Sequence, residues 1–370
     1  MPTDRRGRHR AVSRCGLHHC PDDRLVRPGT HPDQAGLRRE DAVSGLVSVI
    51  VPAFNAERWI AETLTSIRAQ IYEPVEIIVV DDGSTDSTAS LATASGATVL
   101  RTRDAGPGGA RNAGLTRARG EFIQFLDADD LIATGKIARQ VSALRASGAD
   151  VAWEPFHDLV PVASPPNAVF TVGRKITPDL GADLAASLLS ARGFVQLGAM
   201  LLRRSPRTDA VWFAPGRDVV EDVRYTVALA MAGARFVSSE SDELGLLYRQ
   251  HAGVRYSTRP IASFARGCAE NAEWAQEYWE QHGGLTPARR TALSEAYAFA
   301  ARQLASIDRE SFERAASRGK AFGAEFTRHL PARLRWLSRI VGYTRAESIA
   351  SGWRRVRRRK RRRKSSPESP

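Results

Sequence analysis

Apolar and polar residues between positions 47 and 126 follow two spacings that together predict an α/β fold. Short apolar runs are typical of buried parallel strands, and they occur at Val47–Val51, Val75–Val80, Thr98–Leu100 and Glu121–Leu126. Apolar residues at helical spacing lie between these runs, in Ala56–Gln70, Thr85–Ser95 and Gly109–Ala118. Because strands alternate with helices, the pattern predicts βαβ units and a mainly parallel central sheet with right-handed crossovers.

The pattern is less regular after residue 150. It predicts strands at Asp150–Trp153, Leu197–Leu202 and Leu244–Tyr248, helices at Leu184–Leu189 and Asp222–Ala232, and a proline-rich loop at Pro161–Asn167. From Ile261 to about Gly352, alanine, glutamate, arginine and leucine dominate, which favours helix. We expect two or three helices there, broken near Gly283-Gly284 and Leu330-Pro331.

The two ends of the chain differ from the middle in composition. Residues 1–44 mix arginine, histidine, proline, glycine and aspartate without an apolar period, so we predict that they are disordered. Cys15 and Cys20 lie there, but no second ligand cluster follows them, as a structural zinc site would require. The predicted parts are a disordered extension (1–44), an α/β domain (45–258), a helical C-terminal region (259–352) and a basic disordered tail (353–370).

The formal net charge of +13 belongs mainly to the two ends. Residues 353–364 hold ten basic residues and no acidic one, and residues 1–44 hold nine arginines against six acids. The remaining body is close to neutral, which argues against a domain that binds specific nucleic acid, since such domains carry a basic face. The run 354–364 fits three interpretations: contact with an anionic membrane surface, nonspecific binding of nucleic acid, or a solvated tail. Trp336, Leu337, Ile340 and Trp353 just upstream would supply an apolar anchor or simply belong to the core.

Three cysteines and the absence of a long apolar run bear on localisation. Cys15, Cys20 and Cys268 are too few for a disulfide framework, which fits a reducing cytoplasm. No stretch approaches the roughly 18 apolar residues that a spanning helix needs. The basic residues 1–10 are not followed by an apolar segment, so a secretory signal is not expected. We therefore predict a cytoplasmic protein, peripheral at the inner face of a membrane if the basic run binds lipid.

A cluster of carboxylates follows the last of the four early strands. Asp127, Asp129 and Asp130 come directly after the run Glu121–Leu126, and ligands of open parallel sheets bind beyond the carboxyl ends of the strands. Carboxylates two residues apart can share one hard cation such as Mg²⁺ or Mn²⁺. The alternative is that Asp129 or Asp130 caps a helix over residues 131–144.

A second carboxylate, Asp82, follows the run Val75–Val80 within the sequence Val80-Asp81-Asp82-Gly83-Ser84. At a strand end it would accept hydrogen bonds from a nucleobase or ribose. The alternative is turn chemistry together with a cap for the helix 85–95. The glycines at 106, 108 and 109 lack the Lys-Ser/Thr of a P-loop, so we interpret them as a flexible loop that enters a helix.

Four segments in order resemble the family 2 inverting glycosyltransferases, which have the GT-A fold. They are Val47–Asn55 (VSVIVPAFN), Val80–Asp86 (VDDGSTD), Gly109–Gly114 (GARNAG) and Ala118–Asp130 (ARGEFIQFLDADD). The resemblance is close over residues 46–131 and looser to about residue 255. It implies a GT-A domain over residues 45–258 that binds a nucleoside-diphosphate sugar, by family frequency a UDP-sugar.

The resemblance also implies roles for individual residues. Pro52 and Phe54 would line the base and sugar, Asp82 would contact the nucleobase, and Arg111 would lie on the nucleotide side of the pocket. Asp127 and Asp129 match the metal motif for Mg²⁺ or Mn²⁺, with Asp129 the direct ligand and Asp127 nearer the ribose. Asp222, in the Glu-Asp pair that precedes a predicted helix, would be the general base; the alternative is helix capping and complementarity with the helix dipole. Arg249 and His251 match a later segment that closes over the diphosphate.

The implied reaction transfers a sugar in one displacement to a hydroxyl of a glycan or lipid-linked acceptor, in cell-envelope or polysaccharide synthesis. Trp153, Trp212 and Tyr225 are candidates for stacking on sugar rings, with burial in the core as the alternative. Two other functions remain open. One is a catalytically silent glycosyltransferase-like interaction module. The other is a nucleotide-dependent oxidoreductase, against which the missing glycine fingerprint after Val47–Val51 argues.

Overall fold

The structure is a computed structural model and describes residues 43–162, 169–216, 219–239, 241–250 and 261–364. The strands are β1 (Val43–Ala53), β2 (Val75–Asp81), β3 (Thr98–Arg101), β4 (Gly120–Phe125), β5 (Leu131–Ile132), β6 (Val151–Trp153), β7 (Phe156–Pro161), β8 (Phe170–Ile176), β9 (Met200–Arg203), β10 (Phe236–Ser238) and β11 (Leu246–Arg249). The helices of the α/β domain are α1 (Ile60–Arg68), α2 (Thr88–Ala94), α3 (Gly106–Arg117), α4 (Lys136–Ser147), α5 (Leu184–Leu189), α6 (Pro206–Asp209) and α7 (Glu221–Met231). Those of the C-terminal region are α8 (Ile261–Gln281), α9 (Pro287–Leu304), α10 (Arg309–Lys320), α11 (Ala324–Arg328), α12 (Ala332–Val341) and α13 (Tyr343–Lys364).

The main sheet has seven strands in the order β10-β6-β9-β4-β1-β2-β3. Strands β3, β2, β1 and β4 are parallel neighbours, and β9 runs antiparallel to both β4 and β6. The predicted mainly parallel sheet is therefore confirmed. The buried apolar run Val47–Val51 forms its central strand, as expected for a strand covered on both faces.

Helix α3 packs unusually close to the central strand because of a glycine. A Cβ atom built on Gly114 would lie 2.3 Å from Ile50 Cγ2, so no larger residue fits there without movement. Since α3 begins beside the end of β2, its first turns lie at the carboxyl edge of the sheet. This contact fixes Arg111, one turn before Gly114, at that edge.

A second, four-stranded sheet (β5-β11-β7-β8) was not predicted from the sequence. Strand β8 lies at its edge and is largely solvent-exposed, so it carries no apolar alternation that would reveal it. The predicted loop Pro161–Asn167 falls mostly outside the described residues. The predicted strand Leu197–Leu202 begins as a 3-10 turn over Leu197–Ala199 and becomes extended only in β9.

The C-terminal region contains six helices among the described residues, where two or three were expected. The predicted breaks at Gly283-Gly284 and Leu330-Pro331 are present, but shorter connections near residues 305–308, 321–323 and 342 add further ones. Helix α13 continues to Lys364, so residues 353–364 are helical and the prediction of a disordered tail is wrong for them. Arginine and lysine favour helix without any apolar period, which explains the error.

No helix within the described part of the chain combines the length and the apolar character that crossing a bilayer would need.

Candidate active site

The loops that follow β1, β2 and β4 meet at one edge of the main sheet. These strands are parallel neighbours in register, with Ala53 beside Asp81 and Ile50 beside Phe125. The backbone N–H of Asp82 donates to the carbonyl of Ala53 (2.9 Å), which ties the first two loops together. The predicted nucleotide and metal residues of these loops are thus neighbours at the carboxyl edge, where ligands bind in open α/β sheets.

Asp82 is buried and fastens the loop that leads into α3. Its Oδ1 accepts hydrogen bonds from the Thr102 hydroxyl (2.8 Å) and the Ala105 N–H (2.9 Å), and its Oδ2 accepts one from the Gly106 N–H (2.9 Å). It does not cap α2, whose N-cap residue is Ser87, but the turn chemistry of the alternative is present, because Asp81 Oδ1 accepts a hydrogen bond from the Ser84 N–H (3.1 Å). The predicted contact of Asp82 with a nucleobase stays a prediction, and in this structure the carboxylate sets the start of α3.

The first loop presents an aromatic side chain to solvent. Phe54 is 49% exposed, and Pro52 is partly buried. Asn55 adopts a left-handed conformation (φ 49°), and its side-chain oxygen accepts a hydrogen bond from the Thr85 N–H (2.9 Å). Asparagine tolerates this conformation better than most residues. The turn holds Phe54 at the carboxyl edge, where the predicted contact with base or sugar remains untested.

Arg111 is a buried link between two carboxylates. Its Nη2 donates to Asp127 Oδ1 (2.8 Å) and its Nη1 to Glu221 Oε1 (2.7 Å), while only 5% of its side chain is exposed. The two carboxylates outweigh the effect of burial and raise the pKa of the guanidinium. The sequence placed Arg111 on the nucleotide side of the pocket; the structure engages its guanidinium with protein carboxylates instead. A role for Arg111 in orienting Asp127 follows directly from this geometry.

Asp127, Asp129 and Asp130 form a compact carboxylate cluster, with one oxygen of each within 4.8 Å of the others. Asp127 and Asp129 are partly exposed, whereas Asp130 is fully buried and its Oδ1 accepts a hydrogen bond from the Arg249 N–H (2.9 Å). Helix capping does not explain the cluster, because α4 begins only at Lys136 with Gly135 as its N-cap. Oxygen-only donors in this number suit a hard cation such as Mg²⁺ or Mn²⁺.

Arg249 contacts the backbone of this cluster. Its Nε donates to the carbonyl of Asp129 (2.8 Å), its Nη2 pairs with Glu62 Oε2 (2.7 Å), and its guanidinium carbon lies 4.5 Å from the centre of the Trp59 ring. The side chain is 2% exposed. The predicted contact of Arg249 with a diphosphate would require it to leave these partners, whereas its present contacts position the backbone of Asp129. His251, predicted for the same role, lies outside the described residues.

Asp222 lies in the first turn of α7, beside Glu221. Burial, reinforced by the negative charge of Glu221 and opposed by Arg111, raises the pKa of the Asp222 carboxyl to about 7. Asp222 is not the N-cap of α7, which is Val220, but it lies in the first turn, where a negative charge complements the helix dipole. Its Oδ1 accepts a hydrogen bond from the adjacent Val223 N–H (2.8 Å). A carboxylate with a pKa near 7 is suited to accept a proton at physiological pH.

The turn before α7 is strained and is held by α8. Val220 has φ 56°, a conformation that β-branched residues rarely adopt. The buried Asn271 donates from Nδ2 to the Val220 carbonyl (2.9 Å), and a Cβ on Gly267 would lie 2.6 Å from Val220 Cγ2. Strain of this kind persists where the surroundings fix it, commonly at functional sites. Here it aims Glu221 at Arg111 and sets the position of the residue that follows.

Cys268 of α8 lies near Asp222 but is not a nucleophile. Burial, reinforced by the charge of Asp222, raises the pKa of the Cys268 thiol to about 12. A thiol with so high a pKa stays protonated and unreactive at neutral pH. Among the described residues, the site therefore contains no activated cysteine.

The aromatic candidates for stacking on a sugar separate into core and surface. Tyr225 is buried and stacks on Phe213 at 4.1 Å, with Phe125 edge-on, so the core alternative is correct for it. Trp153 and Trp212 are partly exposed.

Several functional contacts were missed from the sequence. Glu221 pairs with Arg111 across 110 positions, and Gln196 Nε2 donates to Asp127 Oδ2 (3.3 Å). Glu62, the partner of Arg249, gave no signal because it stands among other polar residues of an amphipathic helix. Within the Glu-Asp pair at 221–222, the sequence predicts a role for Asp222 but none for Glu221.

A domain with a mainly parallel sheet and a carboxylate cluster beyond β4 has the architecture of a GT-A glycosyltransferase. Residues 48–157 match the model of glycosyl transferase family 2, so the predicted family is confirmed and this segment is a family 2 glycosyltransferase domain. The match leaves no support for the oxidoreductase alternative.

Similar proteins agree with this assignment. An uncharacterised glycosyltransferase of Haemophilus influenzae is 37% identical over 103 residues, covering 26% of this chain and 41% of that protein. The succinoglycan biosynthesis protein ExoO of Rhizobium meliloti is 39% identical over 110 residues, covering 29% of this chain and 32% of that protein. The chain thus spans well under half the length of these relatives.

The fold extends beyond the segment that the sequences share. A structure of residues 1–349 of S. aureus TarS, in complex with UDP-GlcNAc, superposes with a TM-score of 0.56 at 21% identity, covering 82% of this chain and 88% of that one. The longer TarS structure gives a TM-score of 0.52 at 21% identity, covering 82% and 53%. The expected GT-A fold is confirmed.

Proposed function

We propose that this protein is a metal-dependent inverting glycosyltransferase that moves a sugar from a nucleoside-diphosphate sugar to a hydroxyl of a glycan or lipid-linked acceptor. The observation that carries the proposal is the pairing of a three-carboxylate cluster with Asp222, whose pKa is raised to about 7. Arg111 joins Asp127 of this cluster to Glu221, the neighbour of Asp222 in the chain. The name of ExoO supports a place in polysaccharide or cell-envelope synthesis.

The residues present fit a divalent cation at the carboxylate cluster. Asp129 would be the direct ligand and Asp127 would complete the site, because both are partly exposed at the carboxyl edge. A bound Mg²⁺ or Mn²⁺ would neutralise the negative charge that develops on the leaving diphosphate. Arg249 holds the Asp129 backbone, so the ligand position does not depend on the loop alone.

Asp222 performs the proton transfer in this mechanism. The acceptor oxygen forms a bond to the anomeric carbon while the bond from that carbon to the diphosphate oxygen breaks and its electron pair leaves with the nucleoside diphosphate. The acceptor proton passes to the Asp222 carboxylate. A single displacement inverts the anomeric centre, and it needs no nucleophile from the protein.

Titration with nucleotides identifies the nucleobase of the sugar donor. UDP-sugars are the default, and TarS is described in complex with UDP-GlcNAc, but a likeness at 21% identity concerns the fold. Calorimetric titration of UDP, GDP and dTDP into the full chain, with and without Mn²⁺, tests donor class and metal together. Binding of one nucleotide only with Mn²⁺ supports the proposal. No binding by any of them in folded protein would favour a catalytically silent module.

The same titration on Asp129→Ala isolates the metal site. We expect this variant to lose the Mn²⁺-dependent part of nucleotide binding, because it removes the partly exposed carboxylate of the cluster. Asp183→Ala serves as the control, since Asp183 pairs with Arg289 away from the sheet edge. If nucleotide affinity of Asp129→Ala still rises with Mn²⁺ as much as in wild type, the assignment of Asp129 to the metal site is wrong.

The proposed place of action is the cytoplasmic side of a membrane. The run 354–364, with ten basic residues, would attract an anionic surface at about 1 kcal/mol for each residue near it. Such docking would bring the carboxyl edge of the sheet to lipid-linked acceptors. Deletion of residues 353–370 should then weaken retention on anionic vesicles at low salt.

A further inference from the structure

Helix α12 exposes two large apolar side chains on one face. Trp336 is 64% exposed and Ile340 is 60% exposed. Residues four apart lie on the same side of a helix, so the two form one apolar patch. The opposite side of α12 packs inward through the buried Leu334. The exposed pair is therefore not the result of a poorly packed helix, and it leaves apolar surface in water at a defined place.

Basic side chains surround this patch. Arg333 and Arg339 are exposed on either side of Trp336 along the helix. Lys320 of α10 donates to the Thr344 hydroxyl (2.7 Å) and Arg335 to the Arg328 carbonyl (3.5 Å), neither of which is charged. Within the described part of the chain, neither Lys320 nor Arg335 forms an ion pair with a carboxylate.

A cavity of about 400 Å³ opens beside the patch, between α10, α11, α12 and α13. Lys320, Arg335 and Arg339 line it, together with the hydroxyl-bearing Thr327 and Ser338. Among the described residues no carboxylate lines this cavity. Phe326 and Tyr343 also line it, so the cavity has an apolar wall beside cationic and hydroxyl groups that suit a phosphate group.

The chain adds further positive charge immediately after this region. Helix α13 follows α12 after the single residue Gly342 and runs from Tyr343 to Lys364. The last eleven residues of α13 hold the ten basic residues of the C-terminal run. Apolar patch, basic cavity and basic run therefore follow one another over residues 320–364.

We infer that α12 and the cavity beside it form a docking surface for an anionic phospholipid bilayer, with a lipid headgroup phosphate in the cavity. Trp336 and Ile340 enter the interface between headgroups and acyl chains, as on other amphipathic interfacial helices. Lys320, Arg335 and Arg339 bind headgroup phosphates. The inference rests on the proposed function only in supplying a reason for docking, namely a lipid-linked acceptor.

The apolar pair distinguishes a bilayer from the other occupants. Arginines alone would serve nucleic acid equally well, but Ile340 has no apolar partner on a sugar-phosphate backbone. A second copy of this chain would have to bring acidic groups to a surface whose cavity is lined by Lys320, Arg335 and Arg339. A bilayer supplies headgroup phosphates for the basic side chains and, just beneath them, apolar chains for Trp336 and Ile340.

Vesicle flotation with the full chain tests the inference without using catalysis. Wild-type protein should float with vesicles of equal parts phosphatidylcholine and phosphatidylglycerol, and not with phosphatidylcholine alone. Ile340→Ala should lower the affinity about tenfold, as expected for an apolar side chain that is buried on binding. Ile71→Ala is the matched control, since Ile71 is 71% exposed but lies in the α/β domain. This variant should bind vesicles like wild type.

The basic cavity is tested by Arg339→Gln, which should lower vesicle affinity about fivefold at low salt and less at high salt. Arg309→Gln removes an exposed arginine of α10 away from the cavity lining and is expected to have a smaller effect. Inorganic phosphate, titrated into the vesicle mixture, should not displace the protein, because it lacks the apolar part of the ligand.

Three results would overturn the inference. One is wild-type binding that Ile340→Ala leaves unchanged, which would assign all membrane contact to residues 354–364. Another is binding to duplex DNA with no flotation. The third is a dimer that Ile340→Ala dissociates, which would make α12 an interface between copies. Transfer of sugar to a water-soluble acceptor is measured separately, so loss of docking and failure of the proposed activity give different outcomes.

Discussion

Replacing Asp222 by asparagine should inactivate the protein and at the same time stabilise it. Asparagine keeps the size of the side chain and the acceptor oxygen for the Val223 N–H, but it cannot take up a proton. Loss of a general base lowers a rate by about 10²–10⁴. Donor binding should be unchanged, because the carboxylate cluster of the donor side is not altered.

The pH dependence follows from the same group. The pKa of Asp222 is raised to about 7, with burial as the main cause and Glu221 as the next. The wild-type rate should therefore fall as the pH drops below about 7, where the base becomes protonated. Asp222→Asn should show only its low residual rate, without this inflection.

The stability effect has a definite sign. Asp222 has an ordinary pKa of 3.8 and a folded-state pKa of about 7, so folding favours the protonated form. The favourable contribution is fully present below the ordinary pKa and is lost as the pH rises to the folded-state pKa. Relative to wild type, Asp222→Asn should gain nothing below about pH 4. Its advantage should grow between the two pKa values and stay constant above about pH 7.

The size of the gain is bounded by the pKa change. A rise from 3.8 to about 7 corresponds to about 4 kcal/mol at about 1.4 kcal/mol per pKa unit. Because Asp222 keeps contact with solvent and interacts with Glu221, about 1–2 kcal/mol is the expected value. That amounts to a rise of a few degrees in the unfolding midpoint.

Thermal unfolding of both proteins over a pH series, together with transfer and donor titration, checks all three statements. An unfolding difference that is the same at every pH would mean that no charge is buried at Asp222. Retained transfer in Asp222→Asn would place the base elsewhere. Loss of transfer with loss of donor binding would show damage to the whole site.

Two further substitutions probe the surroundings of the site. Glu221→Gln keeps an acceptor for Arg111 but removes a negative charge next to the base, so the midpoint of the pH–rate profile should move to lower pH; an unmoved midpoint would contradict this coupling. Gly245→Ala places a Cβ 1.9 Å from Glu154 Oε1 and should destabilise the fold by about 1–3 kcal/mol in denaturant unfolding, whereas Gly352→Ala, with open space around it, should not.

The central sheet and the position of the carboxylate cluster could be predicted because both depend on local sequence. The apolar run at residues 47–51 is enough to predict a buried strand, since burial of apolar side chains is favourable. Asp127 follows such a strand directly, so its place at the carboxyl edge needs no long-range information. The small sheet escaped detection for the opposite reason: β8 is exposed at an edge and carries no apolar period.

The partners of the buried arginines could not be predicted, because they come from distant parts of the chain. Arg249 meets Glu62 across 187 positions, and Arg111 meets Glu221 across 110. Nothing near a surface glutamate distinguishes one that will pair with a buried cation from one that faces water. The sequence therefore indicated the residue types of the site but not which of them face the ligand.

The contacts of the buried Arg111 bear on which carboxylate of the cluster would bind the cation directly. Asp127 Oδ1 accepts from Arg111 and its Oδ2 from Gln196, so a cation that took both oxygens would break contacts on which the position of Glu221 depends. Ligation through Asp129 leaves them intact. It also leaves Glu221 beside Asp222, where its charge helps keep the pKa of the base near 7. We therefore propose Asp129 as the direct ligand, and a cation that shares a single oxygen of Asp127 would also leave the contact of Arg111 with Glu221 in place.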